Sequence, residues 1–334
     1  MKAAVVADVG DLRMTERPVP TPASGEALIH IRIANVTTSE LNKLKGIRPL
    51  RKRPIVPGHE FSAEVVKVEG QTRGIVPGDR IVADDHIACG KCYYCRSGMV
   101  DVCSDSMGFG NDFDGAFQEY AILRTNMIHK LPDEITFRQA PFVEPISTCV
   151  EAVSKGGLVK GDTAAVMGQG LMGLIIAQLL KTAGVRTIGI DLSKLRLNKS
   201  KQLGVDHTVD ARNEDVVASV MAHTEKVGAD ALFEATGSMA AFEQAFNIVR
   251  SGATIVQVGH IYGSPHFPAL AFYYKDLRLV SARGHPYPEA MEALRTRGVD
   301  VDSLITHVFK FEEIEKAYQA RARDNAIAIQ IEMP

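Results

Sequence analysis

The chain has 334 residues, 46% hydrophobic and 23% charged, with a net charge of −2; this is the make-up of a soluble globular protein of about two domains. Near-neutral charge excludes an electrostatic footprint for nucleic acid or an anionic membrane surface. No run of about eighteen uncharged apolar residues is present to span a bilayer. The opening Met1-Lys2-Ala3-Ala4-Val5-Val6-Ala7-Asp8 meets an acid too early for a signal-peptide core. The expectation is a cytoplasmic protein with reduced thiols.

From residue 1 to about 145, short apolar stretches alternate with polar residues and are separated by Gly and Pro, as at 27–33, 63–68 and 80–82. A period of two with turn residues between predicts a compact antiparallel barrel or sandwich. Four of the five cysteines fall within this region, as Cys89, Cys92, Cys95 and Cys103. Two C-x-x-C steps share Cys92, and four thiolates can close tetrahedrally on one Zn²⁺. Such a site has no open position, so it would hold a lobe of chain (about 86–104) rather than perform chemistry. The alternatives are a chance cluster or a redox pair, and the concentration of cysteines here weighs against both.

Near Glu144 the pattern changes to helices alternating with strands. Strands are predicted at 164–167, 187–190, 231–234 and 253–258, with helices at 171–183 and 194–203. This alternation implies βαβ units and a parallel, doubly wound sheet. Gly168-Gln169-Gly170-Leu171-Met172-Gly173 directly follows a predicted strand and opens a helix, and Asp191 ends the next strand. Glycines there permit a tight turn and close approach of a pyrophosphate to backbone amides, with the helix N-terminus stabilising its charge. Asp191 can accept hydrogen bonds from the adenosine ribose hydroxyls and would repel a 2′-phosphate, favouring NAD over NADP. Arg196 nearby either flanks the adenine or admits NADP. After about residue 283 the pattern is mixed again and can complete the first domain, making the sheet an insertion.

Taken together, these features resemble the zinc-containing medium-chain alcohol dehydrogenase family over nearly the whole chain. Further marks are Gly58-His59-Glu60, Pro77-Gly78-Asp79-Arg80-Ile81-Val82, Gly115-Ala116-Phe117-Gln118-Glu119-Tyr120, Val143-Glu144-Pro145 and Leu304-Ile305-Thr306-His307. Glu rather than Cys at position 144 is similar to the branch containing sorbitol, threonine and aminocyclitol dehydrogenases. The resemblance implies an α/β fold with a Rossmann doubly wound sheet of residues 147–282, inserted in a GroES-like β-barrel catalytic domain of residues 1–146 and 283–334. It also implies a homotetramer or homodimer, and places Gly259 near the nicotinamide carboxamide. The family's catalytic zinc, by this likeness, would be held by His59 and Glu144, with Glu60 either ligating or standing behind them.

The first ligand motif departs from the family. Where C-G-[ST]-D-x-H is usual, this chain has Thr37-Thr38-Ser39-Glu40-Leu41-Asn42. Thr37 stands at the cysteine position, and a neutral hydroxyl is a poor zinc ligand beside a thiolate. Glu40 can still orient His59. Ser39 retains the hydroxyl through which the substrate proton is relayed in the family, whereas Asn42 cannot act as a base near neutral pH. The fifth cysteine, Cys149, lies five residues past Glu144 and on a helix would point away from it; Glu151 lies nearer that face. The basic residues Lys43, Lys45, Arg48, Arg51, Lys52 and Arg53 read as a solvated loop or as a lure for an anionic substrate.

Three functions remain open. The first is an NAD-dependent dehydrogenase acting, with zinc, on a secondary alcohol of a polyol, amino alcohol or cyclitol, or on the matching ketone. The second keeps hydride transfer but only the lobe zinc, with Thr37, Ser39 and Glu40 handling substrate and proton. The third is an NAD-binding protein without catalysis, a reading weakened by the survival of His59 and Glu144.

Overall fold

The computed structural model describes residues 1–284, 286–296, 298–323 and 325–334. They fall into two compact units, Met1–Glu144 with Val301–Pro334, and Pro145–Asp300. No helix among the described residues is long and apolar enough to cross a membrane.

The first unit opens with an antiparallel hairpin of β1 (Lys2–Asp8) and β2 (Asp11–Glu16). In β3 (Glu26–Asn35) the alternation seen in sequence sends Ala27, Ile29 and Ile31 fully inside while His30 and Arg32 stay half-buried, as a strand with one core face requires. Helix α1 (Thr38–Leu44) follows, and β4 (Phe61–Val68) and β5 (Arg80–Ala83) continue the sheet. Strands β6 (His86–Ile87) and β7 (Met107–Gly108) pair as a short stem. The cysteine lobe, with helix α2 (Tyr93–Arg96), lies between them in the chain. Strands β8 (Tyr120–Arg124) and β9 (Ile128–Lys130) pair with β3 and β5. Helix α3 (Val143–Gly156) begins where the first unit gives way to the second.

In the second unit the elements run β10 (Thr163–Met167), α4 (Leu171–Thr182), β11 (Arg186–Asp191), α5 (Lys194–Gln202), β12 (His207–Asp210), α6 (Val216–Ala222), β13 (Ala229–Glu234), α7 (Met239–Ile248), β14 (Val249–Gln257), α8 (Ala269–Tyr274), β15 (Arg278–Ser281) and α9 (Tyr287–Arg295). The strands form a parallel sheet in the order β12-β11-β10-β13-β14-β15. This is the doubly wound Rossmann order, with its switch point between β10 and β13. Every residue of β10 is buried, as expected where helices cover both faces of a parallel sheet. The chain then returns to the first unit as β16 (Ile305–Lys310), α10 (Ile314–Arg321) and β17 (Ala328–Glu332), and β17 pairs antiparallel with β3.

The second junction falls at 300/301, later than the 282/283 read from sequence. Two residues before that junction are tied to α4: the Asp300 amide donates to Gln178 Oε1 at 2.7 Å, and Thr182 Oγ1 donates to Gly298 O at 3.4 Å. The mixed pattern after 283 concealed that packing.

Two close backbone approaches require glycine. Gly168 sits at φ +88° at the end of β10, and a Cβ on Gly173 would lie 1.8 Å from the Gly168 carbonyl oxygen. In the first unit, a Cβ on Gly115 would meet Gly58 O at 2.2 Å, so the 108–118 segment seats directly behind His59. Gly173→Ala is expected to lower stability by roughly 1–3 kcal/mol, the range for an overpacked buried position, and to weaken NAD binding. Denaturant unfolding and calorimetric titration with NAD measure both; wild-type values for each would show that the turn tolerates the methyl group.

Candidate active site and metal centres

The lobe cysteines are all free thiols. Their Sγ atoms lie 3.5 Å (Cys92–Cys95), 3.8 Å (Cys92–Cys103) and 3.9 Å (Cys89–Cys95) apart. Four sulfurs about 2.3 Å from a tetrahedral zinc stand about 3.8 Å from one another, so the spacing fits Zn²⁺ and is far too long for a disulfide. Backbone amides already face the sulfurs: Cys92 N donates to Cys89 Sγ at 3.3 Å and Cys89 N to Cys103 Sγ at 3.3 Å. The Cys95 amide helps to hold the Cys92 thiol down at about 6.

A second cluster grows from the end of β3. Thr37 caps α1, its Oγ1 accepting from the Glu40 amide at 3.3 Å and donating to Glu40 Oε2. Glu40 is fully buried and meets His59 Nδ1 at 2.5 Å through its other oxygen. Lys43 Nζ lies 3.7 Å from that same oxygen and donates to Gly110 O at 3.0 Å. Lys43 is 2% exposed, which corrects its reading as part of a solvated loop. Burial disfavours the Glu40 carboxylate, but the charges of His59 and Lys43 outweigh it and hold the carboxyl at about 2. Burial also disfavours a charged His59, but Glu40 overcomes it and lifts the imidazole to about 9.

With Nδ1 committed to Glu40, Nε2 is the His59 nitrogen left for a ligand. Glu60 is positioned by Asn35, whose Nδ2 donates to Glu60 Oε2 at 2.7 Å; Asn35 Oδ1 accepts in turn from Gln330 Nε2 at 3.1 Å. Glu144 sits in the first turn of α3. Burial pushes Glu60 up to about 7 and Glu144 well above the usual carboxylate range. One donor atom from each of His59, Glu60 and Glu144 lies within 4.8 Å of the others. An imidazole, the buried Glu60 carboxylate and the half-buried Glu144 carboxylate converging so closely fit a divalent cation, because coordination favours the ionised form that desolvation alone disfavours. Thr37 is not in this set. Ser39 Oγ accepts from Arg48 NH1, and the Asn42 carbonyl accepts from the Arg48 amide at 3.1 Å.

At the switch point, Asp191 is 8% exposed; it accepts from Gln169 N at 2.6 Å and Ser193 N at 2.7 Å, with Arg196 NH1 at 3.9 Å. Gly170 caps α4 without a side-chain hydrogen bond, leaving the amides of the turn containing Leu171, Met172 and Gly173 to an anionic group. Gly259 N donates to Glu234 O at 2.8 Å, and a Cβ on Gly259 would lie 2.3 Å from Gly237 N. Glu234, which the sequence reading did not single out, is buried and accepts from Thr236 N at 2.8 Å and Gly237 N at 3.2 Å. It holds that loop against Gly168, whose own Cβ would meet Thr236 at 2.9 Å. An acid ending a buried strand just before Ala235-Thr236-Gly237 was the available signal.

Several residues fall outside both constellations. Cys149 is buried, with Sγ 3.5 Å from Met172 O. Glu151 accepts from the Arg283 amide at 2.5 Å and the Gly284 amide and ion-pairs with Lys155 at 2.7 Å, so it serves the second unit and not the metal cluster. His86 bonds Asp85 at 2.7 Å, His260 and His266 are exposed, and His307 is half-buried; His285 lies outside the described residues.

Residues 23–133 match the alcohol dehydrogenase GroES-like domain, and residues 172–297 match the zinc-binding dehydrogenase domain. The chain belongs to the zinc-containing medium-chain alcohol dehydrogenase family. It is 32% identical to a sorbitol dehydrogenase of Halalkalibacterium halodurans, over 98% of each protein. It is 31% identical to an L-threonine 3-dehydrogenase of Pyrococcus furiosus, covering 92% of this chain and 90% of that one. Among solved structures, an alcohol dehydrogenase from Thermus sp. ATN1 superposes with a TM-score of 0.92 at 27% identity over the full length of both. As a member of this family the protein is a nicotinamide-dependent oxidoreductase acting on CH–OH groups.

The two donor clusters share no residue, so their metals are expected to separate by mutation. Elemental analysis of zinc-loaded dehydrogenase should give two ions per chain. Glu144→Ala should lose one and keep the lobe, and Cys103→Ser should lose the lobe ion with a fall in thermal midpoint. Retention of both ions by Glu144→Ala would remove that residue from the ligand set.

Proposed function

We propose that the protein oxidises a secondary alcohol on a polyol or amino alcohol, or reduces the matching ketone, with NAD as hydride carrier. The observation that carries this is the convergence of His59, Glu60 and Glu144 within 4.8 Å beside a buried Glu40 that fixes the imidazole. The likeness to sorbitol and threonine dehydrogenases supports that substrate class.

In this reading His59, Glu60 and Glu144 hold zinc, which when bound would act as a Lewis acid toward an alcohol oxygen. Glu40 keeps the Nδ1 proton on His59 and so sets its tautomer. Ser39, with one lone pair engaged by Arg48, keeps its own proton and a second lone pair for the substrate hydroxyl. Asn42 cannot ionise, so the proton leaves through water or another group. The amides of the 168–173 turn and α4 bind the NAD pyrophosphate. Asp191 uses its remaining lone pairs on the adenosine ribose, and its charge disfavours a 2′-phosphate. NAD is the oxidant that accepts the hydride. The lobe cysteines play no part in the chemistry. The protein works as a cytoplasmic homo-oligomer, a dimer or tetramer by family likeness.

Two measurements test the assignment. Absorbance of NADH at 340 nm should rise across a panel of polyols, cyclitols and amino alcohols with metal-loaded enzyme, and Glu144→Ala should lower kcat by at least about 100-fold, as loss of a catalytic metal does. Asp191→Asn keeps the shape but removes the charge, and should narrow the NAD over NADP preference by about 10-fold or more; unchanged discrimination would refute the role of Asp191.

A further inference from the structure

Between Leu41 and His59 the chain carries Lys43, Lys45, Arg48, Arg51, Lys52 and Arg53 and no acid. The fold separates these cations by environment. Lys43 is buried against Glu40, Arg51 pairs with Asp112 at 3.3 Å, and Arg53 pairs with Asp8 at 2.8 Å. Lys45 and Lys52 are exposed. Arg48 differs from all of them. It is half-buried, no carboxylate among the described residues comes within ion-pair distance, and NH1 donates to Ser39 Oγ.

A guanidinium has five donors in a rigid fork matched to carboxylate and phosphate oxygens. Partly removing one from water without a carboxylate partner is costly, and a ligand oxyanion would offset that cost. The surroundings sharpen the point. With Lys43 and a divalent cation beside them, the carboxylates of Glu40, Glu60 and Glu144 are balanced in charge, so the cluster has no surplus positive charge for an anionic alcohol and a further local cation must meet it. A neutral polyol needs no such group.

We propose that Arg48 forms an oxyanion subsite one hydroxyl away from the reacting centre, and that the preferred substrate is an alcohol bearing a phosphate ester or carboxylate a few carbons from the hydroxyl oxidised. This rests on the reading of Ser39 and the His59 cluster as the substrate site. Arg48 is then a specificity-determining residue: its fork engages two oxygens of the anion, while NH1 also keeps Ser39 oriented toward the substrate hydroxyl.

The test compares matched pairs, sorbitol with sorbitol 6-phosphate and butan-2-ol with 3-hydroxybutyrate, as kcat/KM on metal-loaded enzyme. At least one anionic member should be preferred, and which pair shows it separates phosphate from carboxylate. Arg48→Met should lower the anionic-to-neutral ratio by about 10- to 100-fold, the scale of a charged hydrogen bond, with Arg48→Lys falling between. Arg51→Met, at an exposed ion pair, should change the ratio by less than about twofold. An equal loss on both members of a pair would make Arg48 only a positioning residue for Ser39. A raised KM for NAD with an unchanged ratio would place it on the cofactor. An equal effect of Arg51→Met would mean long-range steering. Each of these overturns the subsite. If no alcohol is oxidised, the functional reading fails, and calorimetry of NAD-saturated protein with inorganic phosphate and acetate decides the subsite separately. Binding lost in Arg48→Met supports it, and no binding of either ion by the wild-type protein overturns it.

Discussion

A buried carboxylate whose oxygens are shared among three other side chains organises the catalytic unit. Glu40 accepts from Thr37 and His59 and pairs electrostatically with Lys43 at 3.7 Å, while its own amide is capped by Thr37. These contacts tie the N-terminus of α1 to the chain entering β4, and Lys43 carries the linkage on to Gly110. Breaking one partner out of such a network leaves a buried charge uncompensated, which costs about 3–5 kcal/mol in other proteins. The cost explains why so polar a knot occurs in a core: each member is expensive alone and tolerable only with the rest. It also sets the chemistry, because an imidazole that donates Nδ1–H to Glu40 has only Nε2 to offer a metal.

The same logic separates what the sequence disclosed from what it did not. Cys89, Cys92, Cys95 and Cys103 are legible because their spacing is local and their chemistry needs nothing remote. The 168–173 turn is legible because a strand, three glycines and a later acid occur in fixed order. Strands such as β3 and β10 follow from period and apolar run length. Lys43 was not legible: its burial depends on a carbonyl 67 residues away, and nothing in its own neighbourhood distinguishes it from Lys45. Glu234 escaped, and Glu151 was placed toward the Glu144 face instead of its real partners, for a related reason. Their partners are backbone amides of loops, at Thr236 and Gly237 and at Arg283 and Gly284, and amides leave no mark in a sequence. The junction at 300 depended likewise on one glutamine side chain, Gln178, on α4.

Thr37 is the instructive departure. A threonine where relatives of this kind carry a cysteine reads as simple loss of a metal ligand. The structure gives the hydroxyl a different task, since it caps α1 and donates to Glu40 while Glu60 and Glu144 converge with His59. A donor set of one imidazole and two carboxylates carries the same two negative charges as one of imidazole, thiolate and a single carboxylate. The exchange therefore preserves charge and removes softness. Hard oxygen donors retain zinc less selectively than sulfur, whereas the four lobe thiolates are the softest set the chain has. The two centres should thus differ in how tightly and how selectively they hold metal. The lobe site belongs to the fold, and an ion held by His59, Glu60 and Glu144 would be the one whose identity depends on which divalent cations the solution supplies.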